Sequence, residues 1–324
     1  MPQRFLILLL LTAVIIASGC IGATTTGTGN GLSIQAFEPD FASVYSDENV
    51  KLQLRAKNMG DVVAENIKAE IAGISLSEWS GSGFGFTQEQ NLGKALPYDQ
   101  ATKTEGETKT AYWNLKAPKL PKGISYDYTP IAKLSYDYKT QAIQPMTIVD
   151  ETELRRIIQQ GKSLPSKTSA YTKGPFSVDI ETGNYVKTSS RFTSGTTYDI
   201  FPISIKITNS GWESGGTVLR EGGAFSGFWG KDYDYPVQVK ITPPAGTDFV
   251  YSGTWDSDCS RGTVTVDLWK GKERTITCEL RVNEKTSYSR EAQITVELSY
   301  RYQTESRTQI KVFGTESGWG WGWR

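Results

Sequence analysis

Four segments occur twice in this chain, in the same order, and any fold must accommodate that repeat. VKLQLRAKNMGD (Val50 to Asp61) matches ISIKITNSGWE (Ile203 to Glu213). IKAEIAG (Ile67 to Gly73) matches VQVKITP (Val237 to Pro243), each followed by a tryptophan, Trp79 and Trp255. TAYWNLKAP (Thr110 to Pro118) matches TITCELRVN (Thr275 to Asn283), and IAKLSYDYKTQ (Ile131 to Gln141) matches ITVELSYRYQTE (Ile294 to Glu305). In that last pair Leu134-Ser135-Tyr136 aligns with Leu298-Ser299-Tyr300, and Tyr138 with Tyr302. The alternation of apolar and polar residues in these segments is the period of a half-buried strand. Asn58/Gly60 and Asn209/Gly211 predict the same tight reversal in both halves, because Asn and Gly tolerate positive φ.

Short strands with turns about every 8 to 12 residues, twice over, predict an all-β chain of two tandem Ig-like antiparallel β-sandwiches. The expected boundaries are 31–149 and 174–314, with a helix and linker at 150–173 between them. The run Lys57-Asn58-Met59-Gly60-Asp61-Val62-Val63-Ala64 resembles the turn of the Ig-like domains called CARDB and of related repeats in archaeal surface-layer and adhesion proteins. In that family the turn is followed by another strand, here IKAEIAG. The second half keeps only Asn209-x-Gly211 and then inserts a long segment rich in glycine and aromatics. The resemblance implies a fold and leaves function open.

Between the halves Asp150 and Glu153 have the spacing of an N-cap and its capping-box partner, and Val149 and Leu154 that of a hydrophobic staple. Leu154, Ile157 and Ile158 share one helical face, and Gly161 supplies the stop. Arg155 and Arg156 read as a solvated face. The helix is expected to pack on one sandwich and limit the angle between the two.

The first residues form a basic tip, an apolar run from Phe5 to Ala17 and then Ser18-Gly19-Cys20, the order of a secretory leader (1–19). The run is shorter than the roughly 20 residues of a membrane-spanning helix. Its Ala-Ser-Gly-Cys ending resembles the lipobox of secreted lipoproteins, with Ala17 in the place of the usual bacterial leucine, as in many archaeal lipoproteins. That resemblance implies cleavage before Cys20 and a lipid on its sulfur, which anchors the chain to the outer face of the cell membrane. Residues 20–30 then form a Thr/Gly tether with almost nothing to bury. Of the 3 cysteines, Cys259 and Cys278 remain as a possible disulfide, permitted outside the cell. It would close a loop of about 20 residues, worth roughly 3 kcal/mol in the chain-entropy model.

The chain has no histidine, which excludes Ser-His-Asp and Cys-His catalysis and His-ligated zinc. Its 35 basic and 35 acidic residues balance, so nothing electrostatic favours nucleic acid. There is no phosphate-cradling loop, dinucleotide fingerprint or nucleophile elbow. Asp232/Asp234 and Asp256/Asp258 have a calcium-loop spacing but lack the Gly and distal Glu of an EF-hand. No cofactor, metal or enzymatic activity is expected.

Three segments exceed what a minimal sandwich needs. Ser77 to Gly93 displays Trp79, Phe84 and Phe86, and Gly211 to Pro236 carries Phe228 and Trp229 among other rings. These aromatics suit contacts with a glycan or an envelope protein, or else fold back to cap the sandwiches. The tail, 315–324, alternates Trp319, Trp321 and Trp323 with glycine, which gives an extended chain one apolar side. It suits docking on a partner or on its own domain. The expected function is a non-catalytic binding or structural module at the cell surface. The alternatives are a carbohydrate-binding accessory or polysaccharide-processing protein, and a self-assembling envelope or filament subunit.

Overall fold

The computed structural model describes residues 31–81, 87–99, 101–183, 185–188, 199–220, 234–250, 259, 263–284 and 288–315. The first half contributes β1 (Leu32–Pro39), β2 (Ser43–Tyr45), β3 (Asn49–Asn58), β4 (Ala64–Ala72) and β5 (Ser80–Gly81). It continues with β6 (Glu89–Ala95), β7 (Thr108–Lys116), β8 (Ser125–Tyr128) and the long β9 (Ile131–Asp150), which runs into the helix α1 (Glu151–Gln159). Then come β10 (Ala170–Tyr171), β11 (Phe176–Glu181), β12 (Tyr185–Thr188), β13 (Ile200–Asn209), β14 (Thr217–Val218) and β15 (Pro236–Thr242). The chain closes with β16 (Thr247–Phe249), β17 (Thr263–Asp267), β18 (Glu273–Val282), the long β19 (Ser289–Arg307) and β20 (Ile310–Phe313).

The fold is all-β, and each half is an Ig-like sandwich. In the first, the sheet β1-β3-β7-β5 covers β9, β4 and β6; in the second, β11-β13-β18-β16 covers β19, β15 and β17. The four duplicated segments are β3/β13, β4/β15, β7/β18 and β9/β19, in equivalent places. Alternation sets the core: Leu52 and Leu54 of β3 and Ile205 and Ile207 of β13 point inward, as do Leu134 of β9 and Leu298 of β19.

The sandwiches are not beads on a linker. Strands β9 and β19 pair with each other, residue for residue, from Ser289↔Val149 to Arg307↔Ile131. They fuse the two inner sheets into one 9-stranded sheet, over roughly 60 Å of ladder. The repeat relates Tyr136 to Tyr300 and Tyr138 to Tyr302, whereas the ladder pairs Tyr136 with Tyr302 and Tyr138 with Tyr300. Both relations meet at Asp137 opposite Arg301, so a pseudo-two-fold axis passes through that pair. A true dimer would place identical residues there. Here the two positions differ, and the Arg301 guanidinium donates to Asp137 at 2.9 Å.

Strand β20 crosses back as well. It sits between β2 and β8, so the last described strand completes the first half rather than the second, although it falls within the 174–314 segment. Strand β2 is parallel to β20 and β12 is parallel to β9, two departures from a purely antiparallel plan.

The helix starts and stops where its sequence signals stand. The Asp150 carboxylate accepts from the Thr152 N–H at 2.8 Å, Val149 and Leu154 are buried, and Gly161 takes a φ of 69° beyond the last turn. The reciprocal half of the capping box is not made. The Asp150 N–H donates to the Tyr288 carbonyl, and Glu153 turns to Arg156 at 2.6 Å. Ile158, expected on the apolar face, is exposed. The angle between the halves is set by the shared sheet, to which this short helix is a side element.

The Asn-x-Gly turns are present in both halves, for a different reason from the one read in the sequence. Neither glycine has positive φ, and Gly211 sits at −90°. A Cβ on Gly60 would run into the Tyr138 hydroxyl, and one on Gly211 into that of Tyr302. The buried Asn58 amide donates to the Val62 and Ala95 carbonyls and accepts from the Gly60 N–H; Asn209 bonds Gly216, Gly271 and Gly211 in the same way. Each tyrosine then fastens its turn to the central sheet. Tyr138 donates to Lys173 and accepts from the Val62 N–H, and Tyr302 donates to Asn209 at 2.7 Å.

We expect Gly60→Ala or Gly211→Ala to lower stability by about 1–3 kcal/mol, the usual cost of overpacking. Adding Tyr138→Phe to the first, or Tyr302→Phe to the second, should recover part of the loss in denaturant titrations. Burial, above all, pushes the Tyr138 phenol up to about 12, and raises Tyr136, Tyr300 and Tyr302 as well. The folded state holds these protons after an unfolded chain has released them near pH 10. The contribution of Tyr138 is therefore complete below about pH 10 and is lost as pH rises through about 12. Circular dichroism should show a shallower alkaline loss of stability in Tyr138→Phe.

Candidate functional site

The two halves fill one core position differently. Trp113 of β7 pairs with Leu52, and its counterpart in β18, Cys278, pairs with Ile203. Trp113 is buried, packs edge-on against Phe37 at 6.2 Å and donates through Nε1 to the Gln88 carbonyl. In the second half a disulfide takes the place of that ring: Cys278 is bonded to Cys259, with Cα atoms 5.8 Å apart and both residues buried. The pairing read from the cysteine count is present.

Trp79, read as either a ligand contact or a cap on the sandwich, is a core residue with 1% exposure, so the contact is ruled out and the cap holds. It stands perpendicular to Tyr128 at 5.1 Å and caps the first sandwich. The reason is topological, since β5 carries it onto the covering sheet beside β7. Phe84, Phe86, Phe228, Trp229, Trp319, Trp321 and Trp323 lie outside the described residues, as do Cys20, Asp232, Asp256 and Asp258.

A groove of about 410 Å³ crosses the seam between the halves. Asp137 and Arg301 line it with Val62, Leu219 and Pro236. Asp137 and Arg301 satisfy each other: Asp137 also accepts from the Asn66 amide at 2.6 Å, and Arg301 also donates to Ser135. Leu219 and Pro236 flank the segment that contains Phe228 and Trp229.

The stronger candidate is the small sheet β2-β20-β8. Phe41, Tyr45, Ile124, Tyr126 and Phe313 on or beside it are all large and exposed, Tyr126 by 58%. Tyr45 and Phe313 are cross-strand neighbours with rings 5.9 Å apart, Lys311 lies over the Phe313 ring, and Tyr126 and Tyr128 lie 4.8 Å apart. Next to β8 is a groove of about 570 Å³ lined by Ile74, Ser75, Glu78, Tyr126, Asp127 and Tyr128. Burial and then the Glu78 carboxylate raise the Tyr128 phenol. The sequence hinted at this sheet only through the alternation Tyr126-Asp127-Tyr128; Tyr126 and Tyr128 lie on the face opposite to Tyr45 and Phe313. Its other strands come from residues far apart in the chain.

No protein-family model matches the chain, and no curated protein does. Among solved structures it is similar to the D0-D1 domain of Intimin, with 11% identity and a TM-score of 0.19 over 86% of this chain and 98% of that one. It is similar to the MSCRAMM ACE of Enterococcus faecalis, with 9% identity and a TM-score of 0.14 over 91% of this chain and 97% of that one. The alpha-2-macroglobulin of E. coli matches with 10% identity and a TM-score of 0.19 over 89% of this chain, which spans 17% of that protein. The assignment of Ig-like sandwiches rests on the sheets themselves.

Replacing both Cys259 and Cys278 with serine should lower stability by about 2–4 kcal/mol, and reducing the native protein should do the same. Denaturant midpoints measured with and without reductant check this, and the double variant should be indifferent to reductant.

Proposed function

We propose that the chain is an exported protein, held by a lipid on Cys20 at the outer face of the cell membrane, that serves there as a non-catalytic binding or structural module. The observation that carries the binding role is the set of exposed aromatic side chains on the two faces of β2-β20-β8. A chain able to bury Trp79, Trp113 and four tyrosines leaves Tyr45 and Phe313 in water on one face of this small sheet and Tyr126 in water on the other, and exposed apolar side chains gathered in this way mark interaction sites. The disulfide supports export, because such bonds persist in oxidising compartments. The fused sheet supports a structural role, since it holds the two sandwiches in one fixed relation.

In this reading the leader is removed before Cys20, acyl chains on its sulfur hold the membrane, and the tract to Asn30 spaces the sandwiches from the lipid. Mass spectrometry of the mature protein should find Cys20 as the first residue, carrying an acyl adduct. Cys20→Ser should abolish lipid labelling and remove the protein from the washed membrane fraction. An intact Met1, or an unmodified Cys20 in the native protein, would overturn the anchor.

A further inference from the structure

Strand β8 lies at the edge of its sheet, and its backbone shows which groups are unused. Gly314 N–H donates to the Ile124 carbonyl, while Ser46 N–H donates to Phe313 and Lys311 N–H to Ala42 on the opposite side of β20. Residues 310, 312 and 314 therefore face β8, and their partners 128, 126 and 124 face back. The peptide groups of Ser125 and Asp127 point the other way, toward an edge where the described residues provide no strand. The aromatic groove of about 570 Å³ runs along the same strand.

We propose that this edge accepts residues 316–324 of a second copy of the chain as an added strand. The segment reads Glu-Ser-Gly-Trp-Gly-Trp-Gly-Trp-Arg. In a strand, the period of two places Trp319, Trp321 and Trp323 on one face, against Tyr126 and Tyr128, and the intervening glycines let the backbones approach. Its Arg324 complements Glu78 and Asp127, and among the described residues no Lys or Arg lines the groove. Nine residues reach roughly 30 Å when extended, more than the length of β8. A copy's own segment leaves Gly314 on the β20 side of β8 and has only residues 315–318 in which to double back before Trp319. A second copy has no such restraint. The contact is heterologous, segment into edge, and repeats from copy to copy as a filament does. It deepens the structural reading above by naming the partner.

The test uses the chain purified in detergent from whichever cell fraction holds it. Sedimentation velocity should show assembly that grows with concentration, and deleting 316–324 should leave a monomer. A labelled peptide of residues 314–324 should bind the deleted chain, and Asp127→Pro, which removes one outward N–H but no bond to β20, should weaken binding about tenfold or more. Tyr126→Ala, which leaves the backbone untouched, should weaken it too. A photoreactive residue at position 321, in a mixture of heavy and light isotopic copies, should give mixed cross-links to residues 124–128. A chain monomeric at every concentration, cross-links confined to one copy, or peptide binding unchanged by both variants would overturn the proposal. Attachment of the segment to phosphatidylglycerol vesicles with assembly unaffected by its deletion would do so too. The anchor is judged separately: an acylated monomer overturns this proposal and leaves Cys20 standing, and an unacylated assembly does the reverse.

Discussion

The ladder between β9 and β19 is the constraint on which the rest of the molecule depends. Each strand gives its inner face to its own sandwich and its open edge to the other half, so neither inner sheet is complete alone. The pairing removes two long edge strands from solvent, edges that invite association with other chains. It also brings Tyr136, Tyr138, Tyr300 and Tyr302 together at the centre, with ring centroids about 6 Å apart. Those rings are the core of the seam, and two of them, Tyr138 and Tyr302, are also the locks of the Asn-x-Gly turns.

The pair Asp137–Arg301 gives that ladder its polarity. Along β9 and β19 the pattern Leu-Ser-Tyr-x-Tyr is the same, so apolar burial alone would accept like strands side by side or a slip of two residues. Like-with-like pairing would set Asp137 against Asp137 or Arg301 against Arg301. A half-buried ion pair adds little to stability, but it discriminates between registers, the best-attested use of such pairs.

The two halves show how one architecture tolerates different solutions at a single point. The first fills its core with Trp113, and the second places Cys278 there and ties it to Cys259. The indole anchors by area and one hydrogen bond, the disulfide by a covalent link. The open edge of β8 beside aromatic side chains belongs to the first half alone, and it exists because β20 has crossed over from the second.

The duplicated strands β3/β13, β4/β15, β7/β18 and β9/β19, their inward faces, the disulfide partners and the helix limits were legible in the sequence. Each is governed by contacts near in sequence or by a pattern whose period reports its own geometry. The seam was not legible, because alternation says which face of β9 is buried and nothing about what pairs with its edge. For the same reason the sequence left Trp79 open between a contact and a cap until topology placed it in the core, and Gly60 and Gly211 read as φ-permissive when the demand on them was room for a tyrosine hydroxyl from a distant strand. The exposed side chains of Tyr45, Tyr126 and Phe313 reach one small sheet from three places in the chain, so only the tertiary structure decides that they meet. Local periodicity fixed the elements of this protein, and long-range strand pairing chose how they meet.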